Sequence, residues 1–94
     1  MQSHSVYKIP QGKLLKISLD YHEKNNVIKK IVITGDFFAY PEETVEILEQ
    51  QLQSTVLDRE QLIKKITSII HDCNIQFIGV TAEGLTEGIM RCLP

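Results

Sequence analysis

The sequence predicts an α+β domain: an antiparallel β-meander of about three strands packed against two or three helices as a two-layer sandwich. Three observations lead there. Residues 13–21 alternate, with Leu15, Ile17, Leu19 and Tyr21 against Lys16, Ser18 and Asp20, as in a strand with one buried and one wet face. Residues 22–26 (HEKNN) are polar and close on two asparagines, which tolerate left-handed backbone, so they read as the hairpin loop to the apolar run 27–34. Leu62, Ile63, Ile66, Ile69, Ile70 and Cys73 fall within about 120° of helical arc, with Lys64, Lys65 and Asp72 facing away.

Taken in order, residues 5–9 are a short candidate edge strand ended by Pro10, and Gln11-Gly12 is a turn. Strand 13–21, its hairpin and strand 27–34 follow. The apolar positions of 27–34 are denser than simple alternation, which predicts a central strand with both faces partly covered. Residues 31–43, IVITGDFFAYPEE, then change from sheet to helix. Gly35-Asp36 interrupts the strand. Successive strand side chains point to opposite faces, so Phe37 and Phe38 cannot both be buried on one side. Pro41 suits the first turn of a helix, where Glu42 and Glu43 would meet the positive end of the helix dipole. That helix is expected over 41–53 with Val45, Leu48 and Leu52 as its stripe.

Asp58 followed by Gln61 is a capping pattern that opens the core helix, and Asn74 suits its left-handed end. Residues 75–80 (IQFIGV) form a short extended piece. Thr81 then caps a last helix ending near Leu93, with Leu85, Ile89 and Cys92 buried. Gly84 and Gly88 each cost that helix about 1 kcal/mol against alanine. Either the helix approaches the sheet or a neighbouring helix closely there, or a ligand or partner backbone does.

The 94 residues make a single domain, 1–94, of ordinary globular composition, 43% hydrophobic and 23% charged. No apolar run reaches the roughly 20 residues needed to span a bilayer, and no secretory leader is visible. Cys73 and Cys92 lack metal-ligand spacing and fit reduced thiols in a cytoplasmic protein. The net charge of −2 argues against nucleic-acid binding. That charge is uneven: lysines 8, 13, 16, 24, 29 and 30 crowd the first third and carboxylates the middle. The lysines are either a solvated sheet face or a surface turned to an anionic ligand or partner.

Catalytic chemistry is missing. His4, His22 and His71 are far apart, no Cys/His cluster suggests zinc, and no phosphate loop is present. Nothing in the spacing pairs a hydroxyl with a base. Glu42, Glu46 and Glu49 read as a solvated acidic helix face. What remains is aromatic: Phe37, Phe38 and Tyr40 are either core plugs or, with at least one turned outward, partner anchors.

Three segments now stand in series: GKLLKISLD, then IKKIVITGDFFAYPEETVEILEQQL, then IGVTAEGLTEGI. Together they resemble the accessory (C-terminal) domain of lipoate–protein ligases, which also occurs as a separate small subunit beside a larger catalytic one. The resemblance covers about residues 8–93. Its most specific part is the GDFF-x-YPE junction.

The resemblance implies an enzyme that activates lipoate with ATP to lipoyl-AMP and passes the lipoyl group to a lysine of lipoyl domains. The large component binds lipoate, ATP and magnesium and carries the catalytic lysine. The small one is needed for adenylation and moves relative to its partner. On that basis Gly35, Asp36, Phe37 and Phe38, with Tyr40, Lys13 and Lys16, are candidates for the face turned to the catalytic subunit and its nucleotide. No catalytic residue and no cofactor is expected on this chain alone. The methionine start and length favour a free-standing subunit. The alternative is a scaffold or interaction module of the same fold with no part in adenylation.

Overall fold

Alternating side chains over the first third of the chain build one antiparallel sheet of β1 (Gln2–Lys8), β2 (Leu14–His22) and β3 (Val27–Gly35), in that order. The structure, a computed structural model, describes residues 1–93. β2 is the central strand, and Leu15, Ile17, Leu19 and Tyr21 are buried as their alternation predicts. Asn26 closes the β2–β3 hairpin in left-handed backbone, φ 51°.

β3 lies at the sheet edge, which corrects the expectation of a central strand. Its dense apolar pattern comes from a bulge. Asp20 pairs with Lys30 and Tyr21 with Ile28, so Lys29 has no opposite number. The inward positions therefore jump from Ile28 to Ile31 and Ile33. The exposed edge is covered rather than extended. Glu49 Oε2 accepts the Ile33 N–H at 2.7 Å, and Ile28 bonds Ser54 and Thr55 at 2.8 and 2.9 Å. Glu49 is thus half-buried edge cover, not part of a solvated acidic face.

β1 starts three residues earlier than expected. Its inward positions include Ser3 and Ser5, whose hydroxyls donate to Cys92 O and Gly88 O at 2.5 and 2.7 Å. Small polar residues doing inward work leave no hydrophobic alternation to read.

Three helices follow: α1 (Thr44–Gln51), α2 (Arg59–Asp72) and α3 (Ala82–Met90). α1 packs on β3, α3 on β1 and β2, and α2 on the other two helices. α1 is shorter than the predicted 41–53. The Thr44 N–H and hydroxyl both donate to Pro41 O, at 3.1 and 2.5 Å. Residues 41–44 are therefore a turn ahead of the helix, and Glu46, not Glu42 or Glu43, occupies its first turn. The other helix starts are as expected. Asp58 accepts the Gln61 N–H at 3.1 Å and Thr81 Oγ1 the Gly84 N–H at 3.0 Å, and Asn74 ends α2 at φ 55°.

The glycines of α3 face the sheet. A Cβ on Gly88 would lie 2.8 Å from Leu15 Cδ2 and 2.9 Å from Ile17 Cδ1, and one on Gly84 2.8 Å from Ile9 Cδ1. Close approach of the helix to β2 accounts for Gly88, and close approach to Ile9, just past β1, for Gly84. Cys73 and Cys92 are free thiols, and burial pushes the Cys92 thiol up against the lowering effect of a hydrogen bond with Ser5. No helix among the described residues is long and apolar enough to cross a membrane.

Candidate partner-facing site

The chain leaves the sheet at Gly35, whose φ of 153° brings its Cα against β2: a Cβ there would sit 2.2 Å from Leu14 O. Only glycine passes that point. The Asp36 N–H then donates to the same Leu14 O at 3.0 Å, which ties the junction to the first residue of β2. Phe37 turns inward, half-buried against the core, and meets Phe77 edge to face with ring centroids 6.0 Å apart.

Beyond Phe37 the chain enters β4 (Phe38–Tyr40), which pairs antiparallel with β5 (Gln76–Ile78) as a separate two-stranded ribbon. Phe38 stands opposite Ile78, Ala39 opposite Phe77 and Tyr40 opposite Gln76. Alternation sends Ala39 and Phe77 toward the core and the other four side chains outward. Phe38 is 70% exposed and Tyr40 71%. The two phenylalanines thus divide: one is a core plug and the other faces solvent. Ile78, 65% exposed beside Phe38, belongs with this group. Its place in IQFIGV marked it only as part of an apolar run, because the ribbon pairing that turns it outward is not written in that stretch.

The ribbon is joined to the start of β2. Gly79, at φ 91°, accepts the Lys13 N–H at 3.0 Å, and the Lys13 stem lies over it, 2.3 Å from where a Cβ would be. Lys13 therefore stands beside the ribbon. Lys16 does not: it is on the outward sheet face, opposite Val6 and Thr34. Lys8 curls back, its Nζ donating to Gly12 O at 2.7 Å. So Gly35, Asp36, Phe37, Phe38, Tyr40 and Lys13 gather at one end of the domain, and Lys16, one residue past the β2 partner of Gly35, is on the outward sheet face.

The clearest electrostatic feature lies elsewhere. Arg59 Nη1 donates to Glu87 Oε2 at 2.5 Å and Arg91 Nε to Oε1 at 3.2 Å. The Arg59 hydrogen bond, opposed by desolvation and helped by the charges of both arginines, holds the Glu87 carboxyl below its usual range. Arg91 also lies 4.4 Å from the Tyr7 ring centroid, so the cluster ties α2, α3 and β1 together.

Among the described residues no three His, Cys, Asp or Glu side chains are placed to hold a metal ion. The fold does bring one hydroxyl to an imidazole, His4 Nδ1 to Ser18 Oγ at 3.1 Å, a pair invisible in the spacing because it spans two strands. Both are exposed, and no carboxylate among the described residues bonds the ring to orient it, as a nucleophile–base pair requires.

The comparisons concern the chain as a whole. The family of bacterial lipoate protein ligase C-termini matches residues 8–89. This chain belongs to that family. Lipoate-protein ligase A subunit 2 of Thermoplasma acidophilum is 41% identical over 79 residues, covering 84% of this chain and 72% of the relative. A chain in the structure of an archaeal lipoylation system from the same organism, a bi-partite lipoate protein ligase and its E2 lipoyl domain, superposes with a TM-score of 0.80. It is 27% identical, over 95% of this chain and 94% of that one. The α+β fold expected from the sequence is thus the fold of a lipoate–protein ligase C-terminal domain.

Proposed function

We propose that this chain is the small subunit of a two-component lipoate–protein ligase. It completes a separate catalytic subunit for ATP-dependent activation of lipoate to lipoyl-AMP, before transfer to a lysine of lipoyl domains. The observation that carries this reading is the match to a ligase subunit over 84% of this chain and 72% of the relative, beside a superposition on a chain of a bi-partite ligase system over 95% of this chain and 94% of that one. In this reading the chain supplies a shaped surface. ATP, magnesium and lipoate are then held by the catalytic subunit.

Lys13 has a role in this reading that Lys16 does not share. It stands beside the motif residues, where in the assembled enzyme its ammonium would meet phosphate oxygens by a charge-assisted hydrogen bond. Lys13→Ala is expected to slow lipoate-dependent pyrophosphate release about tenfold, the worth of one such bond, while Lys16→Ala leaves it unchanged. The reading itself is tested by mixing the chain with its catalytic subunit and following lipoate-dependent pyrophosphate release. Release that rises on addition of the chain supports it. Release indifferent to the chain would leave the scaffold reading in its place.

A further inference from the structure

Among the described residues, the outward face of the β4–β5 ribbon is left open. Phe38, Tyr40 and Ile78 expose most of their surface, 65–71%, side by side on a ribbon only three residues long per strand. Scattered exposed hydrophobics are ordinary, whereas large ones gathered in one patch mark contact surfaces. Two further features make this patch specific. The ribbon is held from behind by Phe77 against Phe37 and the core, so its outer face is presented on a fixed support. Its β4 side is rimmed by three exposed carboxylates, Asp36 before the strand and Glu42 and Glu43 after it, while Lys13 stands at the β5 end.

We infer that this face docks the catalytic subunit, on an apolar groove that takes the Phe38, Ile78 and Tyr40 side chains and is bordered by basic residues facing the carboxylate rim. The inference rests on the proposed two-component ligase and adds to it the surface and the character of its complement. Charge disfavours a second copy of the chain added edge to edge along β4. Antiparallel pairing of two β4 strands about Ala39 would set Asp36 opposite Glu42 of the other copy, and like charges directly opposed across strands are destabilising. The other open surface, the outward face of the three-stranded sheet around His4, Ser18 and Val32, is the mixed polar face an antiparallel sheet ordinarily turns to water.

The test uses the full chain and its catalytic subunit, with affinity read by titration calorimetry and activity by lipoate-dependent pyrophosphate release. Phe38→Ser and Ile78→Ser are each expected to weaken binding at least tenfold while circular dichroism shows a native fold. Glu42→Lys with Glu43→Lys, which touches no core residue, is expected to weaken it further at low salt than at high salt, and carries the test should a serine variant unfold. Val6→Ser on the outward sheet face is the control and is expected to bind as the wild type. Wild-type affinity in all the ribbon variants, or an equal loss in Val6→Ser, overturns the docking surface and leaves the two-component ligase standing. A wild-type chain that neither binds nor stimulates the catalytic subunit overturns both. A dimer of the chain alone that dissociates on Phe38→Ser also overturns the inference, in favour of self-association.

Discussion

Gly35 and Gly88 answer to different constraints, one in the backbone and one in the packing, and they separate two sorts of substitution cost. At Gly35 an added methyl meets a carbonyl oxygen, Leu14 O at 2.2 Å, with φ at 153°. Backbone on both sides leaves nothing to rotate away. Gly35→Ala is expected to cost about 2–3 kcal/mol, read as a fall in the urea midpoint. At Gly88 the methyl meets the ends of Leu15 and Ile17, both fully buried. Overpacking of about 1–3 kcal/mol then opposes a helix-propensity gain of about 1. Gly88→Ala is expected to lose about 1 kcal/mol, some 4–8 °C in thermal midpoint for a domain this size. A gain in stability there would show that the core yields at that point.

At the scale of elements, what could be read from the chain was whatever a single period or cap carries. β2 and α2 were legible because each buries one face through a regular repeat, and the starts of α2 and α3 because Asp58 and Thr81 accept their own helix N–H groups. The edge position of β3 is hidden because the bulge at Lys29 imitates a two-faced strand, and the start of β1 because its inward serines bond the carbonyls of Gly88 in α3 and Cys92 just beyond it. The same limit governs the site. The Gly35–Phe38 junction stood out as a sequence, but Ile78 joins it only through pairing across some forty residues of chain, as His4 joins Ser18. Long-range pairing likewise creates the Arg59–Glu87–Arg91 cluster that joins α2 to α3. Unfolded, Glu87 titrates near its ordinary 4.5, and folded it titrates lower. Its contribution is therefore complete above that value and disappears as pH falls through the native one. Glu87→Gln is expected to lower the thermal midpoint at pH 7, with the gap from wild type closing as the buffer is taken below about pH 4. A gap independent of pH would mean that the side chain acts by packing alone.

For the whole molecule, the arrangement of the core sets how the fold comes apart. The Cα radius of gyration is 12.1 Å, close to the value of about 12 Å expected for a compact chain of this length. One set of buried side chains runs from Leu15, Ile17 and Leu19 of β2 through Leu85 and Ile89 of α3 to Leu62 and Ile66 of α2. No element keeps a core of its own once another leaves. The β4–β5 ribbon is bound into this unit, since a lone two-stranded ribbon is marginal in water and Phe37 and Phe77 pack against the common core. Urea unfolding of the isolated chain is therefore expected to be a single transition of about 5–10 kcal/mol, with far-ultraviolet circular dichroism and tyrosine fluorescence giving one midpoint. Tyr21, buried at 4% exposure in β2, reports the sheet, while the dichroism is dominated by the helices. Adding the catalytic subunit should raise the unfolding free energy by mass action, by about 2.7 kcal/mol when it is present at a hundredfold excess over its dissociation constant, and the midpoint with it. Phe38→Ser should leave the stability of the isolated chain nearly in place and, at tenfold weaker binding, remove about half of the rise. Two separated transitions in the isolated chain would instead show that sheet and helices do not share one core.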